Sequence, residues 1–373
     1  MTKTKNILAT SWGIILVGAI IGIIAPLLQK LGNPGNMGIC TACFERDIAG
    51  ALGLHRAATV QYIRPEIIGF VLGSLIAALI FREFKGRGGS SPIVRFMLGF
   101  FAMLGTLVFL GCSWRAILRL AGGDLNAIPG LIGLIVGVWF GTLFFRAGFS
   151  LGKRTSMSSL AGLILPLAML GILIIRLVYR APVIPTEFDS ENMASGVLFY
   201  SVKGPGSMHA PLIIALIAGL LIGFLAQRSR FCTVGALRDL ILFGQTHLFG
   251  GFVAFLIVAL IMNVILGQFH PGFANQPIAH TNYFWNFAGM VLAGLAFALA
   301  GGCPGRQLFM AGEGDTDAGI FVVGMLVGGA FAHNFAIASS PKGIGLHSMT
   351  AVIIGLIFCV LAGLLIKNKK VTA

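Results

Sequence analysis

Long apolar blocks separated by short polar joints run through this 373-residue chain. The blocks cover approximately 7–28, 65–82, 93–111, 130–147, 157–178, 210–227, 248–267, 284–301, 318–337 and 348–366. A helix of about 20 apolar residues crosses the hydrocarbon core, so this pattern predicts membrane spans. No alternation of barrel type appears, and lipid admits only helices and closed barrels. The expected fold class is therefore an all-α polytopic membrane protein of ten spans. Five blocks precede and five follow the stretch from Tyr179 to His209, which carries Pro182, Pro185 and Pro205 with the acids Glu187, Asp189 and Glu191. That stretch reads as an aqueous, extracytoplasmic linker. The organisation expected is a first unit at 1–180, the linker at 181–209 and a second unit at 210–373.

Two polar motifs interrupt the apolar pattern, and each occurs twice. Gly111-Cys112-Ser113-Trp114-Arg115, running on to Gly123-Asp124, matches Gly302-Cys303-Pro304-Gly305-Arg306, running on to Gly314-Asp315, at a distance of 191 residues. Ile39-Cys40-Thr41, ending in Arg46-Asp47, matches Phe231-Cys232-Thr233, ending in Arg238-Asp239, at 192 residues. Two motifs in the same order at nearly one offset indicate duplication of half the chain. With five spans in each copy the second must enter the membrane upside down, which predicts inverted repeats in an hourglass. After each Gly-Cys comes a helix-compatible stretch too short to span, Arg115–Ala121 and Arg306–Ala311. Such stretches read as re-entrant half-helices, whose N-terminal amides can hold an anion near the midplane. Gly133, Gly137, Gly324 and Gly328 are spaced for close helix packing.

Composition agrees with a membrane protein: 57% of residues are hydrophobic and 10% charged. The net charge of +14 does not indicate nucleic-acid binding, because the basic residues sit at the ends of apolar blocks, where lipid headgroups lie. With the N-terminus inside, 16 of the 26 Lys and Arg fall on the inner side, among them Lys3, Lys5, Lys369 and Lys370. This excess favours both termini in the cytoplasm. No cleavable signal peptide is read, and six cysteines without secretory context do not suggest a disulfide scaffold.

The repeated cysteines, Cys40, Cys112, Cys232 and Cys303, are the candidates for handling a solute. A thiol is a weak donor and acceptor, so it can touch a sulfur-bearing or oxyanionic solute without trapping it. Arg115 and Arg306 could cap helix C-termini or reach interfacial phosphates, but the favoured reading is that they attract an anion, and Arg46 and Arg238 support the motifs through local ion pairs with the following aspartates. Cys40-Thr41-Ala42-Cys43 forms a C-x-x-C, which opens an alternative: a membrane thiol-disulfide oxidoreductase using Cys40 and Cys43. Its repeat counterpart has Gly235 in place of Cys43, so the spacing is not duplicated. Cys359 is read as a small core residue, and His333 and Asn334 as members of an internal hydrogen bond. There is no Walker loop, metal-binding histidine cluster or nucleophile elbow, so ATP-driven transport within this chain is not indicated; the favoured reading is a permease rather than an enzyme, with no cofactor.

Gly-Cys-x-x-Arg twice, Phe231-Cys232-Thr233-Val234-Gly235 and the two-half layout resemble the YeeE/YedE family of bacterial inner-membrane proteins. The resemblance covers nearly the whole chain. The opening through Asn36-Met37-Gly38-Ile39-Cys40-Thr41-Ala42-Cys43 looks closest to the YedE branch, associated with selenium metabolism. What the resemblance implies is an inner-membrane permease for a small sulfur- or selenium-containing solute such as thiosulfate. It further implies relay cysteines at Cys112, Cys232 and Cys303, with Cys40 as a fourth. A small cytoplasmic sulfurtransferase of TusA type is the implied partner.

Overall fold

A computed structural model describes residues 6–179, 192–194 and 197–367. Lys3, Lys5, Lys369, Lys370 and the linker residues Pro182, Pro185, Glu187, Asp189 and Glu191 lie outside the described residues. The protein is an all-α polytopic membrane protein. Among the described residues, nine helices are long and apolar enough to cross a bilayer. They are α1 (Ser11–Lys30), α4 (Pro92–Phe109), α6 (Ala127–Arg146), α7 (Ser159–Val178), α8 (Leu212–Ser229), α10 (His247–Ile265), α11 (Tyr283–Ala300), α13 (Thr316–Asn334) and α14 (Ser348–Leu365). The block expected at 65–82 forms a shorter apolar helix, α3 (Pro65–Ile80), of 16 residues. Pro65 fixes its first turn, and the chain turns left-handed at Arg82 just past its end. Four short helices complete the set: α2 (Thr41–Ala51), α5 (Ser113–Ala121), α9 (Thr233–Phe243) and α12 (Pro304–Gly312).

Two small two-stranded antiparallel sheets, which the apolar pattern did not signal, pin the loops. The strands β1 (Arg87–Gly88) and β2 (Thr155–Ser156) join the α3–α4 and α6–α7 loops. The second sheet pairs β3 (Asn192–Ala194) with β4 (Phe199–Ser201). It docks on the first unit, where Ser201 N donates to Gln61 O at 2.9 Å and Ser201 Oγ accepts from Gln61 N at 2.8 Å. Asn6 Nδ2 donates to Arg228 O at 2.8 Å, and Lys367 bridges to Phe149. Arg228 in turn pairs with Glu83 in the α3–α4 loop, which β1 ties to the α6–α7 loop carrying Phe149, so the first and last described residues lie at one end of the bundle.

Each long helix of the inner bundle packs mainly against one from the other half. The principal pairs are α3 with α8, α1 with α10, α6 with α11 and α4 with α13, and α4 meets α11 across the centre. Glycine makes these approaches possible, because in lipid close van der Waals contact replaces the hydrophobic drive. A methyl on Gly133 of α6 would collide with Phe287 O of α11, and one on Gly324 of α13 would collide with Phe96 O of α4. Both members of each contact are displaced by the same 191 residues. At the centre, a methyl on Gly105 would come within 2.5 Å of Gly289 O.

Candidate functional site

Every short helix begins immediately after one of the repeated cysteines, and each cysteine is its N-cap residue. The local cause is a shared break in the backbone. Two residues before each cysteine the chain adopts a left-handed conformation: Gly38 (φ 50°), Leu110 (φ 65°), Arg230 (φ 61°) and Gly301 (φ 94°). Glycine does this without penalty, whereas Leu110 and Arg230 hold a conformation that side chains resist. At Leu110, Arg230 and Gly301 this residue ends a long helix, and the cysteine restarts the chain as a short one. The glycines at 38 and 301 signalled the break; nothing at 110 or 230 did.

In three of the four helices an orphan amide of the first turn then meets sulfur. Cys40 Sγ accepts from Cys43 N at 3.4 Å, Cys232 Sγ from Gly235 N at 3.1 Å, and Cys303 Sγ from Arg306 N at 3.4 Å. Cys112 makes no such cap; its Sγ lies 3.8 Å from Cys40 Sγ. Cys303 N also donates to Cys232 Sγ at 3.4 Å. The structure thus brings the four predicted cysteines together as two pairs, Cys40 with Cys112 and Cys232 with Cys303. A direct bridge ties the pairs: Ser113 Oγ and Thr233 Oγ1, each the residue after a cysteine, are 2.8 Å apart. Trp114 packs against Phe70, Phe231, Phe255 and Phe309 beside this junction. All four cysteines are buried, with exposures of 0, 0, 6 and 0%.

The four predicted arginines fall into different environments. Arg46 is ion-paired to Asp47 at 2.6 Å, and Arg64, which the sequence did not single out, holds the other carboxylate oxygen of Asp47 at 2.7 Å. Arg238 pairs with Asp239 at 2.8 Å. Arg115 is fully buried and, among the described residues, meets no carboxylate: its guanidinium donates to the carbonyls of Leu110, Asn36 and Ile278, the last two at 3.3 and 3.1 Å. Its Nη1 also lies 3.5 Å from Cys43 Sγ, which adds a third thiol beside the Cys40–Cys112 pair. Arg306 is neutralised by Glu313 at 3.2 Å, a carboxylate shared with Arg230 at 2.6 Å and Arg87 at 3.0 Å. Asn334 donates to Leu54 O at 2.9 Å, while the His333 ring lies 4.6 Å from that of His55. Chemically, the arrangement offers sulfur atoms, helix N-termini and one uncompensated cation within a closed interior. These features suit a soft anion.

Residues 228–366, from the end of α8 to the end of α14, match the family model described as Sulphur transport. The second half of the chain carries this family's pattern. The stretch includes Cys232 and Cys303, in agreement with the YeeE/YedE resemblance, and it does not single out the selenium branch. The chain is also similar to two proteins named thiosulfate transporter TsuA. One, from Spirochaeta thermophila, is 36% identical over 103 residues, 28% of this chain and 31% of that protein. The other, from Escherichia coli K12, is 31% identical over 108 residues, 29% of this chain and 30% of that protein. Each match thus spans less than a third of the relative's length.

Proposed function

We propose that this protein is a permease that passes a small sulfur-containing anion, thiosulfate or a close analogue, into the cytoplasm through the two cysteine pairs. The observation that carries the reading is the convergence of four cysteine-capped helix starts, bridged by Ser113 and Thr233. A thiol can hydrogen-bond the outer sulfur of thiosulfate weakly enough to release it, and passage requires several such weak sites in series. Amides at the helix starts favour negative charge, and Arg115 adds a cation that no carboxylate among the described residues offsets. Because the cysteines are buried, the conformation described is closed, and conduction requires the short helices to shift.

Inverted repeats form part of this proposal. They are supported by the exchange of packing partners between halves, in which Gly133 meets Phe287 as Gly324 meets Phe96. We assign the end carrying Asn6 and Lys367 to the cytoplasm of a bacterial cell, with the protein in the inner membrane. The linker then lies outside, and a TusA-like sulfurtransferase would collect the product at the cytoplasmic end. The relatives' names point to transport rather than to thiol redox catalysis by Cys40 and Cys43.

The test is uptake of labelled thiosulfate into proteoliposomes, with selenium compounds as competitors. Cys303→Ala should lower uptake about tenfold, the effect of losing one hydrogen bond worth about 1.4 kcal/mol at a constriction. Competition by selenium compounds would extend the substrate class to the expected selenium solutes. A folded wild-type protein in sealed vesicles that moves no thiosulfate would overturn the reading.

A further inference from the structure

Glu45 lies on α2 beside the Cys40–Cys112 pair, fully buried, and neither of its carboxylate oxygens has a hydrogen-bond partner. Four residues earlier, on the same face of the helix, Thr41 Oγ1 is also buried and unpartnered. Buried polar groups are nearly always satisfied, so three orphaned oxygens on one helix face demand an explanation. The repeat offers none: the position matching Glu45 is Leu237. Glu45 therefore belongs to something the second half does not duplicate.

Cations that could neutralise it stand on α2 itself and on neighbouring elements, but their contacts run elsewhere. Arg46 and Arg64 bind Asp47, Arg115 binds backbone carbonyls, and Arg119 binds Asp124 at 2.6 Å. Farther out, Arg306 pairs with Glu313 on α12 and Arg95 of α4 with Asp317 at 3.4 Å. Among the remaining titratable groups, Glu66 of α3 accepts from Asn33, His333 of α13 faces His55, and Tyr200 of β4 donates to Tyr179 O. Cys43 is held at Arg115. An ionised carboxylate with no donor and no cation is not stable in such a place; the neutral acid is.

We propose that Glu45, with Thr41 beside it, binds a proton that crosses together with the sulfur anion, so that this permease is proton-coupled. The inference rests on the permease reading above. Glu45 takes the proton from water on the side from which the solute arrives, and the resulting O–H, with the Thr41 hydroxyl, donates to the anion's oxygens while the thiols contact its sulfur. The proton leaves to water on the far side after the anion has moved on. No bond within the solute is made or broken, and the charge carried inward falls by one for each proton.

Proteoliposomes holding the full-length protein, with the membrane potential clamped, supply the test. An inward proton gradient of one pH unit should raise thiosulfate accumulation about tenfold if one proton accompanies each anion. A lumenal pH dye should report acidification that begins with thiosulfate addition. In Glu45→Gln, whatever uptake survives should be indifferent to the gradient and should leave the lumenal pH unchanged. Should that variant move nothing, Glu45→Asp decides: gradient-driven uptake supports the proposal, and gradient-independent uptake overturns it. Wild-type uptake without acidification, or acidification that persists in Glu45→Gln, overturns proton coupling and leaves the permease standing. Absence of wild-type thiosulfate uptake overturns both.

Discussion

The two cysteine pairs share a motif, a turn and a helix start, yet they sit in opposite electrostatic settings. Around Cys40 and Cys112, Arg115 is buried among carbonyl oxygens and Glu45 has no partner at all. Around Cys232 and Cys303, Arg306 joins a network in which Glu313 also serves Arg230 and Arg87, and Glu83 holds Arg228 at 2.7 Å. One side keeps a cation without a carboxylate and a carboxylate without a donor in its dry interior; the other ties its charges into one network that reaches the partly exposed Arg230. The comparison teaches that the two motifs share a backbone device while the charges around them differ. A solute moving through both pairs would meet an attracting cation at one and a balanced surface at the other.

The largest expected effect comes from removing the cations in turn. Arg115→Ala strips donors from the carbonyls of Asn36, Leu110 and Ile278 and should cost about 3 kcal/mol, since each orphaned buried acceptor costs roughly 1–3 kcal/mol. Arg306→Ala leaves Glu313 with two other arginines and should cost under about 1 kcal/mol. Unfolding of both variants in detergent, followed by thiosulfate uptake, measures the contrast. Equal losses would mean that the two settings are energetically alike.

A smaller effect should come from the bridge between the pairs. Ser113→Ala and Thr233→Val each remove the 2.8 Å hydrogen bond, so the double variant should be no worse than the more damaging single one. A double-mutant cycle on uptake should return a coupling of about 1 kcal/mol. Strict additivity would show that the pairs work independently.

The smallest effect concerns Glu83, which lies in the loop after α3. Burial raises its pKa, but hydrogen bonds from Gln227 and Arg228 outweigh this and leave it below the usual carboxylate value. A lowered folded-state pKa gives stability that is present above about pH 4.3, the unfolded value, and is lost as pH falls through the folded one. Glu83 is 34% exposed, so screening keeps its contribution to a few tenths of a kcal/mol. The unfolding midpoints of wild type and Glu83→Gln should therefore differ slightly at neutral pH and converge in acid.

Much of this architecture was legible in the sequence because membrane helices are local. Apolar blocks marked α1, α4, α6 and the other spans to within a few residues, and the doubled Gly-Cys-x-x-Arg marked α5 and α12. The cysteines that the repeat singled out do meet, as two bridged pairs. What escaped was non-local. Arg115 is fixed in part by Ile278, which comes from a loop 163 residues away. Arg64 reaches Asp47 across the long α2–α3 loop, and only the folded packing reveals that Glu45 lacks a hydrogen-bond partner. Glu45 is also the residue that the repeat comparison sets aside, because Leu237 occupies its matching position. Symmetry in the sequence drew attention to what is shared and away from what is not.

The packing of long helices across the two halves has a consequence for biogenesis. When α1, α3, α4 and α6 leave the ribosome, the helices they pack against, α10, α8, α13 and α11, have not yet been made. Until then, the glycine grooves of the early helices face lipid or an insertase rather than their final partners. Assembly must therefore proceed as a late closure, in which the second half threads into a waiting first half. The bilayer has to hold an unfinished product for the whole of that interval.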